Sequence, residues 1–198
     1  MSIHPGSLPR DESPIRSVRP VHATLLGGIV LCLVGATAVG CASTVIRIHT
    51  STRLDARARW VILPVANYAE AAQAGERVEA LLDTVLRIDG VRTLDRYPPL
   101  KDDEAHLLGG ERGRYEESLA WARANHYDYA VSGSVEEWRY KAGNDAEPAV
   151  GLTVRVIDLS SSETEWSGSG ARVGRSADNT SGVALVLLSS LLDEVRWK

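Results

Sequence analysis

Three clusters of carboxylates are the residues best suited to acid–base chemistry or to binding a cation. They are Asp102, Asp103 and Glu104; Glu116 and Glu117; and Glu136 and Glu137. A hydrolytic acid–base pair needs two carboxyl groups that face one substrate. Glu136 and Glu137 are neighbours on a predicted strand, where successive side chains point to opposite faces, so they cannot form such a pair unless the strand bends. Each cluster is either solvated charge or part of an acidic surface that attracts a cationic ligand without cutting it.

Other residue types give no pattern that predicts catalysis. Ser134 and Ser169 lie among glycines, but neither is in the G-x-S-x-G turn between a strand and a helix that presents a nucleophile, and both are interpreted as ordinary strand residues. The glycines of 168–174 are not followed by a helix whose first turn could receive a phosphate. The five histidines show no metal-ligand spacing. The sequence therefore predicts no enzyme, metal or cofactor.

Charge and cysteine content narrow the class of protein further. The 198-residue chain has a formal net charge of −4, and because its first 40 residues carry three arginines and two acids, the remainder has −5. A nucleic-acid partner is not expected, since phosphate binding needs a basic patch. Both cysteines, Cys32 and Cys41, lie in or beside an apolar segment near the N-terminus. The region that follows them therefore has none for a disulfide or a thiolate metal site.

The N-terminal 40 residues follow the plan of a signal peptide. A Pro-, Ser- and Arg-rich stretch is followed by a short apolar run over 23–34, which thins into the small residues of 35–40. The segment "AVGC", Ala38 to Cys41, resembles the lipobox of bacterial lipoproteins, in which the cysteine is lipidated and the bond before it is cut. The family rule for Ala42 implies delivery to the outer membrane, facing the periplasm. The alternative is an uncleaved anchor, because about 18 apolar residues just span a bilayer.

Downstream of Cys41, hydrophobic periodicity predicts a mixed α/β (α+β) domain. Residues 42–59 are polar, with a weak alternation in "TVIRIHT" that allows a short strand and otherwise predicts a tether. A continuous apolar run over 60–68 predicts a strand buried on both faces, and the stripe over 74–90 predicts an amphipathic helix. Further patterns predict a short strand, a helix over 115–126, three long strands and a last helix. The order β-α-β-α-β-β-β-α gives a mixed sheet with helices mainly on one face.

The segment "EEWRYK", Glu136 to Lys141, continues a half-buried strand beyond its apolar part. Strict alternation places Trp138 and Tyr140 on the face opposite Val131 and Val135, where a single domain has no core to receive them. Exposed aromatic residues beside Arg139 and Lys141 suggest contact with a membrane surface or with another subunit. The alternative is that they pack under a helix or a neighbouring loop.

Several strings together resemble the PelC family, the outer-membrane lipoproteins of the bacterial Pel exopolysaccharide export system. They are "WVILPVANYAEAAQAGERVEALL", "GSVEEWRYKAGNDAEPAVGLTVRVIDL" and "EWSGSGAR", within a likeness that runs from about Trp60 to the C-terminus. The resemblance implies a non-enzymatic role: subunits form a twelve-membered ring under the outer membrane, and an electronegative funnel guides the cationic polysaccharide to the export porin PelB. The expected segments are 1–40 as a removed lipoprotein signal peptide, 41–59 as a lipidated tether and 60–198 as the periplasmic domain.

The resemblance implies a role for each of the residues singled out above. Cys41 is expected to carry lipid. Trp138, Arg139, Tyr140 and Lys141 are expected to meet the bilayer or the next subunit. The candidates for the acidic polymer path are Asp102, Asp103, Glu104, Glu136 and Glu137. The competing hypothesis is a periplasmic lipoprotein that activates a peptidoglycan synthase, and the short predicted tether, with a span near 25 Å at about 6 Å × √n, argues against it.

Overall fold

The computed structural model describes residues 43–50, 52–99, 110–142 and 146–198. Cys41, Asp102, Asp103 and Glu104 lie outside these ranges. Six strands form one sheet: β1 (Ser43–Thr50), β2 (Arg59–Asn67), β3 (Thr93–Arg96), β4 (Tyr129–Tyr140), β5 (Pro148–Asp158) and β6 (Thr164–Val173). Three helices pack with it: α1 (Ala74–Ile88), α2 (Glu111–Ala124) and α3 (Thr180–Leu192). The predicted fold class and element order are confirmed.

The sheet is mixed, with strand order β1-β6-β5-β4-β2-β3. Strand β2 is parallel to both β3 and β4 because the connections pass through α1 and α2, whereas β4, β5, β6 and β1 pair antiparallel. The connection 159–163 joins β5 and β6 as the predicted hairpin. None of the described helices has the length and the hydrophobicity needed to cross a bilayer.

The core has two parts because the helices lie on both faces of the sheet. The larger part lies between the sheet and α1 and α3, and it includes Trp60, Ile62, Leu82 and Leu188. The smaller part lies under α2, where Val61 and Leu63 of β2 contact Ala122. Alternate residues of β2 therefore enter both parts, which confirms the prediction of a strand buried on both faces.

Strand β1 changes the interpretation of residues 41–59. The weakly alternating segment is an eight-residue edge strand, with Ser43 opposite Val173 and Thr50 opposite Trp166. The possible strand is therefore present, and residues 43–50 belong to the sheet instead of serving as a tether. Beyond it, Leu54 is fully buried and bridges to Trp197 near the C-terminus.

A β-bulge in β4 corrects the prediction for Trp138. The pairing of β4 with β5 shifts between Val135 and Glu137, so that Glu136 is an extra residue. Beyond a bulge the alternation of faces is offset by one residue. Trp138 therefore turns into the main core, where it is 4% exposed, and the prediction that both aromatic residues are exposed is wrong for Trp138. Tyr140 remains 49% exposed.

Helix α2 begins earlier than the sequence predicted. It starts at Glu111, four residues before the predicted start at Tyr115, and ends at Ala124, before His126. His126 instead has a positive φ of 58° in the turn that leads to β4. The early start is stabilised by an exposed i,i+4 ion pair, in which the Arg112 Nε atom lies 3.0 Å from Glu116.

Candidate functional site

The predicted acidic pair on β4 lies at the bulge. A Cβ built on Gly151 would lie 3.3 Å from the Cβ of Glu137 and 3.7 Å from that of Glu136, so both side chains start close to the same point of β5. Strand β4 therefore bends at the place where a bend was needed for Glu136 and Glu137 to face one substrate. Each carboxylate already has a partner: the Ser134 hydroxyl donates to Glu136 at 2.6 Å, and Arg139 pairs with Glu137 at 2.7 Å.

The end of the sheet where β1 begins carries exposed or half-buried basic residues and one exposed aromatic residue; it is called the Ser43 end below. Ser43 pairs with Val173, which pairs with Ala149, which pairs with Arg139. The same end contains Arg139, Tyr140, Lys141 and Arg172. Three of the four predicted contact residues are therefore at the surface in one place.

A cavity of about 700 Å³ lies at the opposite end of the sheet; it is called the distal pocket below. The register explains its position, because Trp60 of β2 pairs with Tyr129 of β4, which pairs with Asp158 at the end of β5. Asp128 directly precedes β4, and Asp55 lies in the turn before β2. The charged residues that line the cavity are Asp55, Asp128, Asp158, Arg57, Arg123 and Lys198.

Backbone hydrogen bonds hold the three aspartates in place. One oxygen of Asp55 accepts from the Arg57 N–H, and one oxygen of Asp128 accepts from the Arg59 N–H, each at 2.8 Å. One oxygen of Asp158 accepts from Ser160 and Ser161. In each case the other carboxylate oxygen has no hydrogen-bond partner within the described part of the chain. Three positioned oxygens are therefore available to a ligand.

Tyr129 forms part of the pocket wall and is 8% exposed. Its ring packs against Trp60, with 4.8 Å between the centroids. Burial is the main cause that raises the pKa of Tyr129, and the charges of Asp158, Glu165, Asp55 and Asp128 raise it further. The side chain therefore stays a neutral phenol at physiological pH, able to donate a hydrogen bond.

The pKa of Asp158, which lines the same pocket, is shifted in the opposite direction. Burial disfavours its charge, but hydrogen bonds from Ser160 and Ser161 and the nearby Lys198 together lower the pKa of Asp158. The carboxylate is therefore ionised throughout the physiological range. Among the described residues, no three His, Cys, Asp or Glu side chains are grouped closely enough to hold a metal ion. The pocket thus suits a ligand with several separated polar groups better than a single ion.

Three aromatic rings lie between α2 and the sheet, beside the pocket. Trp121 is stacked on Tyr127 at 5.6 Å between centroids and meets Tyr97 edge-on at 5.4 Å. The Arg59 guanidinium lies over the Tyr127 ring at 4.8 Å, and the Tyr127 hydroxyl donates to Asp95 at 2.9 Å. Burial, followed by this hydrogen bond, raises the pKa of Tyr127. These contacts hold the Tyr127 side chain in place as part of the pocket wall.

Sequence analysis did not identify the aspartates of the distal pocket. Asp55, Asp128 and Asp158 are far apart in the chain, and none of them belongs to an acidic cluster. The available signal was position: Asp128 is the second residue of the predicted strand over 127–140, and Asp158 is the last but one of the predicted strand over 149–159. Because β4 and β5 are antiparallel, these strand ends meet at one edge of the sheet.

The chain is similar to known bacterial proteins of solved structure. A PelC dodecamer from Paraburkholderia phytofirmans is 31% identical over 79% of this chain and 99% of that chain, with a TM-score of 0.67. A variant of that dodecamer in another crystal form gives 30% identity over 79% and 100%, with a TM-score of 0.68. Lipoprotein GNA1162 from Neisseria meningitidis, at 16% identity over 69% and 96% with a TM-score of 0.50, shares the fold. No protein-family model and no curated protein sequence matches the chain.

Proposed function

Because the chain belongs to the PelC family, we propose that it is a non-enzymatic subunit of a lipoprotein ring at the periplasmic face of the outer membrane. The ring guides a cationic exopolysaccharide, the Pel polymer, to the export porin PelB. Residues 1–40 are removed, and Cys41 carries the lipid. The observation that carries the proposal is this family membership together with the position of β1, which starts two residues after Cys41.

The position of β1 supports a specific orientation on the membrane. Two residues of extended chain reach about 7 Å, so a lipid on Cys41 would keep Ser43 close to the bilayer. The Ser43 end would then face the membrane. The distal pocket would face the periplasm, roughly 30 Å away, since β5 advances about 3.3 Å per residue from Ala149 to Asp158.

The composition of the Ser43 end is compatible with that orientation. Tyr140 is half exposed and suits the headgroup region, where amphipathic rings are enriched. Lys141 and Arg172 supply positive charge for anionic headgroups, while Arg139 is paired with Glu137. Trp138 takes no part in this surface because it is buried in the core. The membrane contact that we propose therefore consists of Arg139, Tyr140, Lys141 and Arg172.

The helical face offers a candidate surface for subunit contact. Ile88 of α1 is 76% exposed, and Leu185 and Val186 of α3 are 37% and 44% exposed. Helix α3 has no acidic residue in its first turn and no basic residue in its last turn. Exposed apolar side chains on a helix without charged residues, as in α3, suit one side of a ring contact, whose other side must be a different surface of the neighbouring copy.

The acidic path of the polymer is proposed in two regions. Asp102, Asp103 and Glu104 remain candidates in the segment between β3 and α2, and Glu136 and Glu137 remain candidates beside the bulge. The competing role, activation of a peptidoglycan synthase, requires a reach across the periplasm. The structure weakens it, because β1 takes up residues 43–50 and leaves almost no free chain after Cys41.

The test is the mass of the protein purified from membranes in detergent. We expect a denatured subunit that starts at Cys41 and carries acyl chains, and a native mass of many subunits. Cys41→Ala should abolish lipidation and release the protein from the membrane. Cys32→Ala is the matched control, because Cys32 lies within the segment to be removed, and it should change neither mass. An uncleaved monomer would refute the proposal.

A further inference from the structure

We infer that the distal pocket binds a single sugar unit that carries a protonated amine, held by Tyr129 and by the free oxygens of Asp55, Asp128 and Asp158. The inference rests on the proposed function, since it assigns a binding site to the cationic polymer. It goes beyond a funnel that acts by charge alone, because it assigns a defined cavity with positioned hydrogen-bonding groups.

The buried phenol of Tyr129 is the first observation that points to a ligand. Its hydroxyl has no hydrogen-bond partner in the described part of the chain, although the side chain is more than nine-tenths buried. The hydroxyl oxygen is not one of the enclosed side-chain atoms that lack a partner in the described part of the chain, so it opens into the cavity while its ring is packed in the core. Because Tyr129 lines the cavity, a ligand hydroxyl in the pocket can replace water at this oxygen and form a hydrogen bond with a rigidly held phenol.

The three aspartates are the second observation. Each is fixed by a backbone N–H through one oxygen, and its other oxygen has no hydrogen-bond partner among the described residues. Preorganised acceptors of this kind bind a ligand at low entropic cost. An ammonium group has three N–H donors and no acceptor, so it matches carboxylates that are already held in position.

The cations of the pocket mean that positive charge alone does not select its ligand. Arg57, Arg123 and Lys198 balance the three aspartates, so the cavity has little net charge to attract positive charge from a distance. Both carboxylates and guanidinium groups can bind hydroxyls, which donate and accept hydrogen bonds. A sugar ring with several hydroxyls and one amine satisfies this mixed lining, whereas a bare cation would face the arginines.

The position of the pocket is consistent with an entry site for polymer. It lies at the end of the sheet opposite Ser43 and so, in the proposed orientation, away from the membrane. Polymer arriving from the periplasm would meet this end of the subunit first. Weak binding there, repeated around a ring, would raise the local concentration of polymer without trapping it.

Titration of the lipidated protein in detergent with a glucosamine tetramer tests the inference, with binding followed by calorimetry. We expect one saturable site per subunit that persists in about 0.5 M salt, where unspecific charge attraction is screened. A glucose tetramer, which lacks the amines, should bind at least tenfold more weakly. Tyr129→Phe removes only the hydroxyl and should weaken the glucosamine tetramer about fivefold, the loss typical of one hydrogen bond.

The control variant is Glu76→Gln, which removes an acid from the exposed first turn of α1, outside the pocket. It should leave the affinity unchanged. The inference is overturned if no saturable binding occurs, if Tyr129→Phe binds as tightly as the unchanged protein, or if the glucose tetramer binds equally well. The native mass, measured in the same samples, separates the two proposals: an intact ring that does not bind the tetramer overturns the pocket alone, whereas a monomer overturns the proposed function.

Discussion

Trp138 and Tyr140 are two residues apart in β4 but have different surroundings, because one packs in the core and the other stands at the surface. Trp138→Ala should lower the free energy of unfolding by about 3–5 kcal/mol, since it leaves a cavity in a packed core. Tyr140→Ala should change it by less than about 0.5 kcal/mol. Urea unfolding of the two variants measures both values. Equal effects would contradict the burial of Trp138.

The same two residues show why the sequence predicted β4 only in part. The alternation from Tyr129 to Val135 predicts correctly which side chains enter the core. One extra residue at Glu136 then offsets the pattern, and a bulge has no signature in hydrophobic period because it depends on pairing with β5. The aspartates of the distal pocket were missed for a related reason, since only the register of three strands brings them together.

The C-terminal ends of α1 and α3 place two acids where the helix dipoles are negative. Asp89 caps α1 and Asp193 caps α3. Burial, followed by the charge of Asp193, raises the pKa of Asp89, and one of its oxygens is enclosed without a hydrogen-bond partner within the described part of the chain. A carboxyl with a raised pKa binds its proton more tightly in the folded state. It therefore destabilises the fold progressively as the pH rises from the ordinary pKa of 3.8 to the raised pKa of the folded state, and the loss is constant at higher pH.

Asp89→Asn should consequently raise the melting temperature at pH 7 by a few degrees, because it removes this half-buried charge from the negative end of the helix dipole. The gain should shrink as the pH falls, and it should vanish below pH 3.8, where the aspartate is itself neutral. Melting curves from pH 3 to pH 8 measure the effect. The control is Asp83→Asn on the same helix, which breaks the ion pair with Arg87 and should not raise the melting temperature. A gain for Asp89→Asn that is independent of pH would contradict the explanation.

Strand β1 is the element that the sequence pattern predicted least clearly. Its residues are mostly exposed or half exposed, so the alternation is weak, and Val45 is 58% exposed. An edge strand of this kind takes its stability from pairing with β6 and from covering the side of the core. Polar composition alone therefore could not distinguish it from a tether, whereas the apolar stripe of α1 predicted that helix directly.

The two ends of the subunit carry different surfaces. Its Ser43 end carries Tyr140, Lys141 and Arg172, and its other end carries the distal pocket. If Cys41 carries a lipid as proposed, the lipid would fix this direction relative to the membrane, because β1 starts two residues after Cys41. In a ring of identical subunits, every distal pocket would then open toward the periplasm at the same distance from the bilayer.

Lengthening the chain between Cys41 and Ser43 tests whether this fixed distance matters. An insertion of 20 Gly and Ser residues after Ala42 would let the domain move about 25 Å from its lipid. We expect the melting temperature and the native mass to stay unchanged, because the insertion precedes β1, and we expect polymer secretion to fall several-fold. A two-residue insertion of the same composition is the control and should secrete normally. Full secretion with the long insertion would mean that the ring works without being seated on the membrane, and the orientation argued from β1 would then have no role in export.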